Sequence, residues 1–338
     1  MKQEHGEKIP FLSFLMTCLV VLYHCEALPE LQAAGPKDLW WSQQITSVIS
    51  GPLSSLFMCW FFGLTAFLLF HNLRFDNLGR KLLSRVKTLL VPYLLWQLLY
   101  SAKAFLQGQR WTPAQLLAKI FFLRHWPPLP ALWYVYAVFL LALLSPIILL
   151  LFRREKIGFL FITATIVLLY AFWDTLTVRT DPPSYINNIK MYFPAYLVGA
   201  FFGHLYEEDG YDRLLAYAAA LLLVGTALAP VIQGLLDKLA LAVLPMLLLL
   251  VMPMPEWAKD RRVYKASFLI YATHESFISL LLVRMQKTIA FLLPYVSLTN
   301  LFSRFLCLLL IILFNLLIHR LMRRFCPRTL KLLTGGRC

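Results

Sequence analysis

The chain has 338 residues, of which 60% are hydrophobic and 14% charged, and its mean hydropathy is +0.68. A soluble domain carries about 25% charged residues, so this composition excludes an ordinary water-soluble fold and points to a polytopic membrane protein. The net charge of +15 would suit nucleic acid in a soluble protein; here Lys and Arg gather in short loops, which makes them topology signals and leaves no nucleic-acid partner.

A membrane span needs about 20 mainly apolar residues, with about 17–25 tolerated. Ten stretches qualify, at 9–28, 47–70, 86–106, 130–152, 157–174, 190–206, 213–230, 235–252, 266–283 and 300–319. The leader MKQEHGEK carries Glu4 and Glu7 and is not the basic start of a signal peptide, so the first stretch reads as a retained helix. Between the first two spans, Trp40 and Trp41 suit an interfacial belt. Between the third and fourth, Trp111 opens WTPAQLLAKIFFL, with Thr112 as N-cap and Pro113 at the first helical position of a short helix on the membrane or in the bundle mouth. With the N-terminus inside, segments 1–8, 71–87, 153–156, 207–213, 253–265 and 320–338 collect most of the 32 Lys and Arg. The acidic 207–213 loop opposes that orientation, but acidic residues weigh little in it. The expected fold is an all-α polytopic membrane helix bundle of about ten transmembrane helices. It forms one unit over 1–338 with both termini cytoplasmic and a basic tail at 320–338. Cys18, Cys25, Cys59, Cys307, Cys326 and Cys338 form no CxxC pair and have no His at metal-ligand spacing, so the sequence suggests neither a disulfide framework nor a metal site.

Ionisable groups inside spans are costly and usually serve a function. His24 closes the apolar string IPFLSFLMTCLVVLYHC. It lies roughly 22 Å from the cytoplasmic end of the first helix, in the outer half of the bilayer, with Glu26 two residues on. A histidine can take a hydroxyl proton as general base and later return it. An interhelical hydrogen bond or snorkelling to the interface fits the residue equally well. His274 and Glu275, in SFLIYATHESFI, lie about 12 Å into the ninth span; proton relay, substrate binding and a structural ion pair all suit them. Arg80, Lys81, Arg85 and Lys87 line the inner mouth of the third span. Positive-inside anchoring explains most of them, and a subset can pair with the phosphates of a cytoplasmic nucleotide donor. Arg124, His125, Trp126, Trp133, Tyr134 and Tyr136 fall on the outer side; they suit sugar recognition or an interfacial belt.

Six strings, in order, resemble the acyltransferase type 3 family of ten-span membrane acyltransferases: LVVLYHC, FFGLTAFLL, RVKTLLVPYLLW, LWYVYAVFLLALLSPI, FPAYLVGAFFG and SFLIYATHESF. The resemblance covers about residues 9–283. It implies transfer of an acyl group, usually acetyl from acetyl-CoA, to a hydroxyl of a bacterial cell-surface polysaccharide or glycolipid at the plasma membrane. No permanently bound cofactor is implied; the acyl-CoA is a substrate. His24 would be the base that activates the acceptor, Arg85 with Lys87 or Lys81 would hold CoA phosphates, and the pantetheine arm would reach outward through the bundle. Three positions depart from the family pattern: Ser13 where an Arg often precedes the histidine, Thr65 and Ala66 where Ser-Gly is usual, and Ala131 where many members have a His. Those roles then fall to other groups, with Glu26, Arg124 and His125 as candidates, or the activity is lost.

Two other readings compete. One is a transporter or flippase of a lipid-linked or small amphipathic substrate, with His274 and Glu275 as its proton relay; no inverted repeat or paired broken helices support it. The other is a catalytically degenerate family member acting as a sensor or assembly partner.

Overall fold

The computed structural model describes residues 3–25, 40–123, 125–172, 185–207, 210–259, 262–292 and 295–337. Among them every regular element is helical. In chain order the α-helices are α1 (Gln3–His24), α2 (Trp40–Ser50), α3 (Pro52–Phe70), α4 (Leu78–Arg85), α5 (Val91–Leu106), α6 (Pro113–Ile120), α7 (Trp133–Leu143) and α8 (Ser145–Phe152). They continue with α9 (Glu155–Ala171), α10 (Tyr185–Leu205), α11 (Asp212–Leu228), α12 (Leu235–Val251), α13 (Ser267–Leu292), α14 (Val296–Phe325) and α15 (Pro327–Thr334).

Among the described residues, five helical stretches are long and apolar enough to cross a bilayer: Glu4–His24, Trp40–Phe70, Leu78–Leu106, Arg262–Ile289 and Val296–Phe325. A sixth is gained if Pro130–Leu143 and Ser145–Phe152, bent by 53°, are one crossing. All ten expected stretches fall mainly on helix, but three are short, and α10, with 21 residues, is not among the five. The helices α9, α11 and α12 have 17 residues each, a rise of about 26 Å against a hydrocarbon core of about 30 Å. The stretch at 130–152 was expected as one helix and is broken at Leu144. Pro146 has no N–H to return to Ala142, and its ring opposes that carbonyl.

Two compact units divide the chain. The first comprises Met1–Gly6 and Met58–Met254, the second Glu7–Phe57 and Pro255–Cys338.

In the first unit, α3 and α10 approach through glycine. A Cβ on Gly199 would overlap the backbone of Gly63, and one on Gly203 the backbone of Phe67. Gly199 and Gly203 lie one turn apart on the same face, the small-xxx-small arrangement that lets membrane helices gain dispersion contact where lipid supplies no hydrophobic drive. A Cβ on Gly63 would lie 3.8 Å from Pro245 and 3.4 Å from Met246 of α12. Around this seam Trp60, Phe62, Phe67, Tyr196, Phe201 and Phe202 are fully buried.

In the second unit, α13 and α14 form a hairpin. Thr273 donates to Asn315 Oδ1 at 2.9 Å, and Gln286 to Ser303 Oγ at 3.3 Å. Residue numbers rising on one helix as they fall on the other make the pair antiparallel. Val21 and Cys25, at the end of α1, join Ile270, Ile278, Cys307 and Ile311 in one buried apolar cluster.

Candidate functional site

The end of α1 is held by a buried cation. Arg304 of α14, 2% exposed, donates from Nη1 to the Leu22 carbonyl at 2.7 Å, from Nε to Asn300 Oδ1 at 3.2 Å and from Nη2 to Ser50 Oγ at 3.4 Å. The last turn of a helix leaves carbonyls without intrahelical partners and carries the negative end of the helix dipole. A guanidinium answers both. His24, the next-to-last described residue of this segment, is therefore fixed through its backbone while its side chain stays exposed.

His24, His274 and Glu275 come together there. The ring nitrogens of both histidines and a carboxylate oxygen all lie within 4.8 Å of one another. The two imidazole centroids are 5.0 Å apart with their planes at 49°. His274 is fully buried, and its Nδ1 lies 2.6 Å from the Tyr271 carbonyl. A carbonyl only accepts, so Nδ1 carries the proton and Nε2 keeps a bare lone pair. That Nε2 is buried without a hydrogen-bond partner among the described residues. One exposed imidazole, one tautomer-fixed imidazole and one half-buried carboxylate can accept, hold and return a proton. Residues that the sequence placed in two competing readings occupy one cluster. Glu26 and Arg124 lie outside the described residues.

The first unit organises Arg85. Helix α4 runs into a π-turn, Val86–Leu90, in which the Val91 N–H reaches back to the Val86 carbonyl. Pro92, just inside α5, cannot bond to Thr88, and the wider turn absorbs that lost bond. Arg85 ends α4 half-buried, in the electrostatic field of the Tyr196 and Tyr134 hydroxyls. Tyr134 shares a 3.0 Å hydrogen bond with Thr65, one of the positions that departs from the family pattern. Tyr196 OH and Thr88 Oγ1 are buried without partners among the described residues. This polar group of Arg85, Thr65, Tyr134 and Tyr196 was only half visible in the sequence. Lys81 donates from Nζ to the His71 carbonyl at 2.9 Å, and Lys87 is exposed.

The remaining candidates are more peripheral. Trp133 packs beside Phe62 and Tyr192 at centroid distances of 5.9 and 6.1 Å. His125 is exposed. Tyr136 stacks on Tyr93 at 5.2 Å, which favours a packing role. The segment that leads into α7 is pinned by Gln97, whose amide both donates to and accepts from the Leu129 backbone, at 3.0 and 2.9 Å. Ala131 is buried.

Arg304 went unnoticed in the sequence, although the rule that singles out His24 applies to it equally: it is an ionisable group inside the apolar string LFSRFLCLLL. Tyr196 lay inside a motif string and gave no signal of its own.

Residues 12–329 match the acyltransferase type 3 family model, described as an acyltransferase domain. No curated protein and no solved structure matches the chain. The match covers nearly the whole sequence, from before His24 to beyond Arg304, and the chain belongs to the acyltransferase type 3 family of membrane acyltransferases.

Proposed function

We propose that the protein is an O-acyltransferase of the plasma membrane, with both termini cytoplasmic, that moves an acyl group from cytoplasmic acyl-CoA to a hydroxyl of a cell-surface polysaccharide or glycolipid. The acyl group is acetyl in this reading. The observation that carries it is the cluster of His24, His274 and Glu275, with donor and acceptor atoms within 4.8 Å. His24 takes the proton of the acceptor hydroxyl. The oxygen attacks the thioester carbonyl, the carbon–sulfur bond breaks, and the CoA thiolate leaves with the proton that His24 returns. Glu275 stabilises the imidazolium formed in between, and His274, its Nδ1–H held by Tyr271, offers a second basic nitrogen at a fixed orientation. Arg85, with Lys81 and Lys87, supplies cations for the CoA phosphates, where Arg gives the paired geometry that a phosphate accepts.

The test is acetyl-CoA turnover by the full chain in nanodiscs, compared with His24→Ala. Loss of a positioned general base costs about 10²–10⁴-fold, and His24 is exposed, so the variant is expected to keep its fold. Turnover that is equal in the two proteins would sink the reading. Proton-coupled transport abolished by Glu275→Gln, with no CoA turnover, would replace it by the transporter.

A further inference from the structure

We infer that His24, His274 and Glu275 form a binding site for a first-row transition-metal dication of the zinc type, and that the ion, when bound, withdraws His24 from proton transfer. As regulation of acyl transfer the inference rests on the reading above; ion binding itself does not.

Three features of the cluster point to a cation beyond a proton. The first is the donor set. Two imidazoles and one carboxylate form the three-ligand group that holds zinc with a fourth position open, and they are a poor match for magnesium or calcium, which take oxygen ligands. The second is His274. Metal-bound histidines almost always donate their other ring N–H to a carbonyl or carboxylate, which fixes the tautomer and raises the basicity of the ligating nitrogen. Tyr271 does this for His274 at 2.6 Å, leaving Nε2 buried and without a partner among the described residues. A buried lone pair left unmatched is costly, and a metal ion satisfies it. The third is placement. The cluster sits at the C-terminal end of α1, where the helix dipole favours positive charge, and Glu275 adds an anionic oxygen to the two imidazoles.

The geometry also sets what must move. Tetrahedral ligands at zinc distances lie about 3.4 Å apart, whereas these atoms lie within 4.8 Å. The closure falls to His24, the exposed member of the set, by rotation about its side-chain bonds. Bound this way, the base cannot accept a proton, so acyl transfer stops until the ion leaves. The sequence hid the site because its ligands are 250 residues apart and follow no ligand spacing.

The experiment uses the full chain without a histidine tag, in nanodiscs, stripped with a chelator and exposed to zinc or to cobalt as a spectroscopic substitute. Bound metal is counted by mass spectrometry, and cobalt geometry is read from visible absorption. The expected result is one ion per chain with a tetrahedral cobalt spectrum. Affinity should fall in His24→Asn and in Glu275→Gln by more than the ~10–100-fold that loss of an outer-sphere partner costs. Magnesium is expected to leave the spectrum unchanged, and zinc to suppress turnover until chelator is added. No retained ion, or an ion kept equally by the His24→Asn, Glu275→Gln double variant, overturns the site. Zinc that binds yet leaves turnover unchanged overturns the regulation. A protein that binds zinc but never turns over acyl-CoA separates failure of the catalytic reading from failure of this one.

Discussion

The two units hold themselves together by different means. In the first, α3 and α10 meet backbone to backbone through Gly63, Gly199 and Gly203, and large aromatics fill the space around the seam. In the second, buried polar groups tie α1, α13 and α14: Arg304 to Leu22 and Ser50, Thr273 to Asn315, Gln286 to Ser303. The first arrangement tolerates no added atom, and the second tolerates no lost partner. Steric fit suits a scaffold. Polar ties suit a place where a helix end must present an ionisable side chain at a fixed position.

The contrast can be broken from either side. The largest effect is expected for His24→Ala, which should lower turnover about 10²–10⁴-fold with no loss of thermal stability; a fall in stability of the same order would assign His24 to structure. Next, Gly199→Val places a side chain against the Gly63 backbone. Overpacking typically costs about 1–3 kcal/mol and here should reach the upper end, read as a lower melting temperature of the detergent-solubilised protein. Arg304→Met removes a cation bonded to three acceptors and leaves the Leu22 carbonyl buried and unmatched, at a cost of about 3 kcal/mol. Arg304→Lys is expected to recover part of that and no activity beyond it, since Lys lacks the fork that reaches three partners. Arg85→Gln should raise KM for acetyl-CoA by roughly tenfold or more, whereas Lys87→Gln, at an exposed position, should change it little. The smallest effect belongs to Asn315→Ala, about 0.6 kcal/mol, the average for an interhelical hydrogen bond in a membrane.

Much of the architecture was legible in the sequence because apolar length and capping chemistry are local. Thr112 and Pro113 announced α6, and the structure completes the capping box with Gln115. The start of α13 was legible to within one residue, at 266 against Ser267, but α13 and α14 run on to Leu292 and Phe325, well past the expected ends at 283 and 319. Bilayer length was less legible: the 17-residue helices satisfy a hydropathy window yet fall short of the hydrocarbon core, and Pro146 divides a run that hydropathy alone reads as continuous. The site was legible residue by residue but not as an assembly. His24 stood out as an ionisable group in an apolar string, and so did His274 and Glu275, yet a membrane helix is apolar on every face, so no period says which side meets which neighbour. Arg304 shows the same limit, because its role depends on the Leu22 carbonyl 282 positions away.

The π-turn at Val86–Leu90 makes the rotational setting of Arg85 a matter of counting. Such a turn amounts to one surplus residue threaded into an otherwise regular helix. Each residue of an α-helix advances the side chains by about 100°. Winding the same residues 86–90 as regular α-helix would swing Arg85 by that angle relative to α5, away from the hydroxyls of Tyr134 and Tyr196, whereas excising one position would remove the wide turn and keep the two flanking helices in phase. Straightening the turn at full length would therefore misdirect the guanidinium, so the irregular turn is itself part of how the sequence encodes where that charge points.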